Sequence, residues 1–304
     1  MSSLAELTAH LGPEIEDPEE ETFLLYAQPI PSLDLGFIDP RASAVDVCVA
    51  GRDFTIHQSP SVLSSNRAGG TTGAVVWKIT PSFASWLASP SNPLFASGSL
   101  GDPSSASASI LELGCGISPL SALGLAPRVA RYVLTDQPYV HRLVQRNLDE
   151  NLASATSSPS GARPRGKRRL TAGTARPHAD VRFVPLDWEV DEVMPSLTGS
   201  DQVHSFDAVV ACDCVYNYAL VAPFVQTCVD ACRLRIEDPA QDRPCLCVIG
   251  QQLRNDEVFE SWLKTFRASF HVWRVSDATL PAELQPTAGF VVHVGVLRDD
   301  VQSV

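Results

Sequence analysis

The stretch ILELGCG at 110–116 ends an apolar run in an acid and then places two glycines two apart. Glycine has no Cβ, so a ligand can approach bare backbone at such a loop. Farther on, TDQ at 135–137 closes a second apolar run with Asp136 at its tip. A carboxylate there can accept hydrogen bonds from both hydroxyls of a ribose. LDW at 186–188 offers an acid and an aromatic, Trp188, able to hydrogen-bond and pack on an adenine. A fourth run, 206–212, is followed by Asp213, three residues before Tyr216. Singly, each feature also suits an ordinary strand–turn–helix, with glycines for the turn, Asp136 as a cap, and Trp188 and Tyr216 in the core. Together, at this separation, they point to a ribose-bearing cofactor.

Two such cofactors compete. A nicotinamide dinucleotide site usually reads G-x-G-x-x-G, so that a pyrophosphate rests on a helix N-terminus. Here the third position is Pro119, and Glu112 precedes the loop, where it would repel a pyrophosphate. S-adenosyl-L-methionine has no phosphate and carries two cations, a sulfonium and an ammonium, which an acidic strand end favours. The residues therefore favour S-adenosyl-L-methionine.

The elements that must position these residues follow from periodicity. Strands are expected at 108–113, 131–135, 181–186, 206–212, 244–250, 270–275 and 289–297. Several are continuous apolar runs, as parallel strands covered on both faces require. Helical patterns lie between them. SPLSALGLA opens with Ser118 as a cap and Pro119 at the first helical position. PYVHRLVQRNLDENL places Val140, Leu143, Val144, Leu148 and Leu152 on one stripe. WKITPSFASWLA, 77–88, also reads as a helix. The implied fold is α/β: a Rossmann-like, doubly wound, seven-stranded sheet with helices on both faces. FLLYAQPI at 23–30 and the segment 44–57 look strand-like. The latter turns at Ala50-Gly51-Arg52-Asp53 and predicts a short N-terminal β-hairpin extension. The expected organisation is an acidic flexible arm over 1–22, a β-rich extension over 23–76, the main domain over 77–298, and a tail over 299–304. Residues 153–178, rich in Ser, Pro and Gly with six Arg or Lys, read as a disordered basic insertion or, alternatively, a basic tether to RNA.

Composition narrows the class. The chain has 304 residues, is 44% hydrophobic and so can bury a core, and carries a net charge of −12. An acidic surface weighs against nucleic-acid binding and for a basic partner. No apolar run reaches membrane-spanning length, and the N-terminus lacks a basic-then-apolar layout, so an intracellular protein with no membrane partner is expected. Eight cysteines form no C-x-x-C pair, and seven histidines show no ligand spacing. Buried thiols and no metal are expected.

ELGCG at 112–116, TDQ at 135–137, LDW at 186–188 and the D-x-x-Y of Asp213 to Tyr216 resemble the class I seven-β-strand methyltransferases, in their protein-lysine branch. GTTGAVVWKITPSFASWL, ELGCGISPL, YVLTDQPYVHRLVQRNLDEN and ACDCVYNYALVAPFVQT are similar to the fungal ribosomal lysine N-methyltransferase 5 group, from about residue 44 to 298. The resemblance implies monomethylation of a lysine on a large-subunit ribosomal protein, in the cytoplasm or nucleus. It implies cofactor contacts at Trp77, as a lid, Gly114, Cys115, Gly116, Asp136, Trp188 and Cys212. Cys212 stands where relatives often have alanine.

Chemistry on an amine then assigns roles to Asp213 and Tyr216. An in-line displacement needs nitrogen, methyl and sulfur collinear and the amine neutral. A free lysine has a pKa of about 10.4, so roughly one in a thousand is nucleophilic near neutral pH. Asp213 is expected to attract and orient the ammonium and to relay its proton through water, and Tyr216 to line the channel. Two alternatives stay open: a methyltransferase acting on RNA or a small molecule, and a non-catalytic interaction protein retaining the fold. D-C-V-Y lacks the prolines of the N-P-P-Y stretch that stacks a flipped base, which weighs against the first. The intact loop, Asp136 and D-x-x-Y weigh against the second. A monomer is expected.

Overall fold

The computed structural model describes residues 3–31, 35–67, 70–101, 106–156 and 179–299. Within these the order is α1 (Ser3–Thr8), β1 (Leu11–Glu14), α2 (Pro18–Tyr26), β2 (Ala44–Val49), β3 (Arg52–His57), α3 (Pro60–Leu63), α4 (Ile79–Ala88) and α5 (Pro93–Ala96). There follow β4 (Ser109–Leu113), α6 (Leu120–Leu125), β5 (Arg131–Asp136), α7 (His141–Thr156), β6 (Asp180–Pro185), β7 (Ala208–Cys212) and α8 (Tyr218–Ile236). The last four are β8 (Leu246–Gln252), α9 (Asp256–Ser269), β9 (Phe270–Val275) and β10 (Phe290–Leu297). All seven expected strands of the main sheet are present.

The sheet runs β1-β9-β10-β8-β7-β4-β5-β6. Strands β4 to β8 are mutually parallel, and β10 enters antiparallel between β8 and β9. Chain order reverses between β4 and β7, and the crevice of a doubly wound sheet lies beyond the strand ends at that switch point. Two apolar cores flank the sheet. One joins Phe83, Leu87, Val144 and Leu148 of α4 and α7 to Phe54 and Ile56 of β3. The other joins Phe224, Trp262 and Phe266 of α8 and α9 to Leu25 of α2. Side chains alternate across β4: Ile110 enters the first core, Leu111 and Leu113 the second. Glu112 therefore falls on the first side and is buried with them.

The N-terminal region differs from expectation. Where a loose arm and then a strand at 23–30 are expected, residues 3–26 form α1, β1 and α2. The apolar run Phe23-Leu24-Leu25-Tyr26 is the last part of α2. Its start is a helix signal: Asp17 caps the Glu19 and Glu20 N–H groups at 2.8 and 3.3 Å, Pro18 opens the first turn, and three glutamates follow. Strand β1 pairs antiparallel with β9 and makes an eighth strand of the sheet. The hairpin β2–β3 forms as expected, but its turn is confined to Ala50 and Gly51, both at positive φ, as a two-residue turn demands. Ser118 does not cap α6: the helix begins after Pro119 with no side-chain cap. Of the basic segment 153–178, residues 157–178 lie outside the described residues. All eight cysteines are free thiols. Cys48 is exposed, Cys212 and Cys214 are half-buried, and the others are buried.

Candidate active site

A cavity of about 930 Å³, counted together with the open solvent at its mouth, lies beyond the carboxyl ends of β4, β5 and β7. All nine residues singled out above line it: Trp77, Gly114, Cys115, Gly116, Asp136, Trp188, Cys212, Asp213 and Tyr216. They come from separate parts of the chain, and the parallel sheet brings its strand ends to one rim.

The glycine loop leaves β4 and turns tightly. Gly114 has φ +69°, and a Cβ there would stand 2.8 Å from the Cys214 Cβ and 3.2 Å from the Trp188 ring. Gly116 has φ +56°, and a Cβ there would stand 2.9 Å from the Gly73 carbonyl oxygen. Both positions need the left-handed region and the missing side chain. The loop is pinned to the next strand, because Gly116 N–H donates to Asp136 Oδ2 at 2.8 Å and Cys115 N–H to the Thr135 carbonyl at 3.0 Å.

Asp136 Oδ1 accepts the Gln137 N–H at 2.7 Å. Each carboxylate oxygen thus holds one protein bond and keeps one further acceptor direction, as a vicinal diol requires. Burial pushes the Asp136 carboxyl up to about 6, against the opposing pull of the Gly116 and Gln137 N–H groups and of the Arg67 charge. Glu112, on the neighbouring strand, is 2% exposed and receives the Tyr132 hydroxyl at 2.8 Å. Burial pushes it up to about 8. The Tyr132 bond opposes that shift, and the negative charge of Asp136 adds to it. A cavity wall of two carboxyls with little counter-charge suits a cationic occupant.

A strap over 70–77 covers the cavity. Gly73 N–H donates to the Tyr139 hydroxyl at 3.1 Å, and Gly73 accepts the Ile117 N–H at 2.9 Å. Thr72 Oγ1 donates to the Tyr216 hydroxyl at 3.3 Å, and the Trp77 indole N–H donates to the Thr72 carbonyl at 3.2 Å. Trp77 also meets Phe37, ring centroids 4.6 Å apart. Trp188 packs edge-on against Phe224, and its buried indole N–H has no partner among the described residues. The same holds for the Ser118 hydroxyl, which also lines the cavity.

Asp213, expected to attract and orient an ammonium, already holds a cationic partner. It has φ +59°, and Arg254 grips it with two bonds, Nη1 to Oδ1 at 2.9 Å and Nη2 to Oδ2. Gln252 N–H adds a third at 3.2 Å. Sequence reasoning missed Arg254, which no motif marks and which only the end of β8 brings to β7. Tyr139 and Thr72 were missed as strap anchors, although both lie inside segments quoted for the resemblance.

Three features fit S-adenosyl-L-methionine: two spare acceptor directions on Asp136, a buried acidic wall for its cations, and an unpartnered indole N–H beside aromatic surface. No helix among the described residues is long and apolar enough to cross a membrane.

No family model matches the chain. A protein of Zygosaccharomyces rouxii named ribosomal lysine N-methyltransferase 5 is 30% identical over 234 residues, 70% of each chain. Its namesake from Vanderwaltozyma polyspora is 27% identical over 76% of this chain and 82% of its own. A Schizosaccharomyces pombe protein named diaminohydroxyphosphoribosylamino-pyrimidine deaminase is 29% identical over 85% of this chain, which spans only 53% of that protein's length. A tRNA (uracil-54, C5)-methyltransferase of Pyrococcus abyssi, solved with S-adenosyl-L-homocysteine, overlaps loosely, with a TM-score of 0.38 and 15% identity over 84% of this chain and 45% of that one.

Proposed function

The chain belongs to the ribosomal lysine N-methyltransferase 5 family, and from that premise we propose that it is an S-adenosyl-L-methionine-dependent protein-lysine N-methyltransferase acting on a large-subunit ribosomal protein. The observation that carries this reading is the convergence of Gly114, Gly116, Asp136, Trp188, Asp213 and Tyr216 on one cavity. Bound S-adenosyl-L-methionine supplies an electrophilic methyl group on a sulfonium. The chain's own residues do the rest. Asp136 holds the ribose diol, the Gly114–Gly116 loop admits the ligand against bare backbone, Trp188 borders the adenine, and Trp77 and Cys212 wall the remainder. Glu112 faces the cations. Tyr216 lines the mouth and places the amine, with its hydroxyl held by Thr72. The in-line geometry is supplied by position, so no covalent nucleophile is needed.

The acidic balance of the chain, −12, suits a basic ribosomal protein as acceptor. The deaminase name of the Schizosaccharomyces pombe relative does not transfer with equal support. Zinc nucleobase deaminases pair a His or Cys ligand with a C-x-x-C, and this sequence holds no C-x-x-C. The test is radiolabelled methyl transfer into a lysate of a strain lacking the enzyme. Label in one large-subunit ribosomal protein supports the reading. Label in RNA or a metabolite, or none anywhere, overturns it.

A further inference from the structure

Arg254 lies two residues past the end of β8 and does not line the cavity, yet it touches two residues that do. Its guanidinium grips both oxygens of Asp213 and lies 4.9 Å from the Trp77 ring centroid. Nη2 also donates to Gln252 Oε1 at 3.0 Å. The Asp213 side chain is 2% exposed, so its charge and that of Arg254 are felt strongly by each other. A carboxylate offers about four acceptor directions. Gln252 N–H and Arg254 Nη1 take two on Oδ1 and Arg254 Nη2 one on Oδ2, which leaves one on Oδ2.

Resting on the proposed lysine methylation, we infer that Arg254 is a positioning residue that acts through Asp213: it leaves the carboxylate one acceptor direction to orient the amine while cancelling the charge that would hold the amine as ammonium. Transfer needs the nitrogen lone pair. That pair forms the N–C bond as the methyl's C–S bond breaks, the bonding electrons stay on sulfur, and the product's extra proton passes to water. An uncompensated carboxylate beside the amine would favour its protonated, unreactive form. With Arg254 in place the pair is neutral overall. The remaining groups near Asp213 do not duplicate this. The Cys212 and Cys214 thiols are held up by burial and stay uncharged. Glu112 and Asp136, on β4 and β5, are acids and can only add to the effect Arg254 opposes. Gln252 is an amide and carries no charge.

The experiment measures initial methylation rates from about pH 6 to about pH 10, using whole protein of a strain lacking the enzyme as acceptor. It compares the unaltered enzyme with Arg254→Gln, Arg254→Lys, and Arg254→Gln combined with Asp213→Asn. Arg254→Gln should lower the rate near neutral pH by about tenfold and move the acid limb of the rate up by about one unit, since one unit is tenfold. The rate should recover as pH rises. The double variant should return the limb to its original place, because the uncompensated charge is gone. Arg254→Lys keeps the charge but not the fork. It should slow the reaction with the limb unmoved, and it serves if Arg254→Gln does not fold. Fluorine NMR of the ligand-free, fluorotryptophan-labelled protein, with Trp77 assigned through Trp77→Phe, should show the Trp77 resonance displaced in Arg254→Gln. A loss equal at every pH, no loss, a limb that stays moved in the double variant, or a moved limb in Arg254→Lys would each overturn the inference. Failure of the unaltered protein to bind S-adenosyl-L-homocysteine would instead strike the proposed function on which it rests.

Discussion

Asp136 and Gly116 are joined by a single hydrogen bond of 2.8 Å, from the loop N–H to Oδ2 of the carboxylate. The bond ties the tip of β5 to the turn after β4, so the acid proposed to meet the ribose also fixes the loop proposed to admit the ligand. Asp136→Ala should abolish measurable S-adenosyl-L-homocysteine binding while the thermal unfolding stays cooperative, since the core is untouched. In the unaltered protein, affinity should fall as pH drops through about 6, where Asp136 gains a proton. Calorimetry across that range checks both, and unchanged affinity in the variant removes the ribose role.

Glu112 predicts a stability change with pH in the ligand-free protein. Its folded value, about 8, lies above the unfolded 4.5, so the folded state favours the protonated carboxyl. That contribution is complete below about 4.5 and is lost as pH rises through about 8, by roughly 1.4 kcal/mol for each unit between. Asp136 acts in the same direction between 3.8 and about 6. Glu112→Gln should flatten the upper part of the slope, read by denaturant unfolding at a series of pH values. A cationic ligand favours the ionised carboxyl, so binding near neutral pH should release protons. Calorimetry in buffers of different ionisation enthalpy measures that release, and Glu112→Gln should lose most of it near a pH of about 8 while keeping the release from Asp136 as pH nears about 6.

Gly114→Ala should damage both fold and site. The left-handed backbone costs about 1–2 kcal/mol for any residue with a Cβ, and the new methyl meets Cys214 at 2.8 Å. The midpoint of thermal unfolding should fall by several degrees and ligand affinity should be lost. An unchanged midpoint would show that the loop can relax, and would remove the strain argument.

Asn147, fully buried on α7, donates to the carbonyls of His57 and Ile117 at 3.0 and 2.8 Å and accepts the His57 N–H at 2.9 Å. One amide thus joins the hairpin to the end of the glycine loop. Asn147→Ala leaves these three groups without their partner, at about 1–3 kcal/mol each when buried. A loss of about 3 kcal/mol in denaturant unfolding is expected, and a loss below about 1 would show that other groups or water replace the amide.

Tyr216→Phe removes the hydroxyl that receives Thr72, and Asp213→Asn keeps the shape but not the charge. Both variants should bind S-adenosyl-L-homocysteine within a fewfold of the unaltered protein yet methylate at least about tenfold more slowly, because the proposed role of both is amine placement and not the ribose. Full turnover in either would exclude that residue from the acceptor side.

Sequence alone determined whatever depends on local pattern. Apolar runs, several of them continuous, located seven of the eight strands of the main sheet; a strand buried on both faces, as β4 is, has no polar alternation to lose. The glycine loop, Asp136, Trp188 and Asp213 were legible because each follows a strand, and parallel strands carry their ends to one rim. The apolar run at 23–26 misled for want of period, and the cap at Asp17 would have corrected it. Only the tertiary structure decided what depends on neighbours distant in the chain. The β1–β9 pairing, the Asn147 link between hairpin and loop, and the Tyr216–Thr72 contact of the strap are of this kind. So is the grip of Arg254 on Asp213, across 41 positions. A charge read in one dimension looks free, and whether it is paired depends on which strands lie side by side.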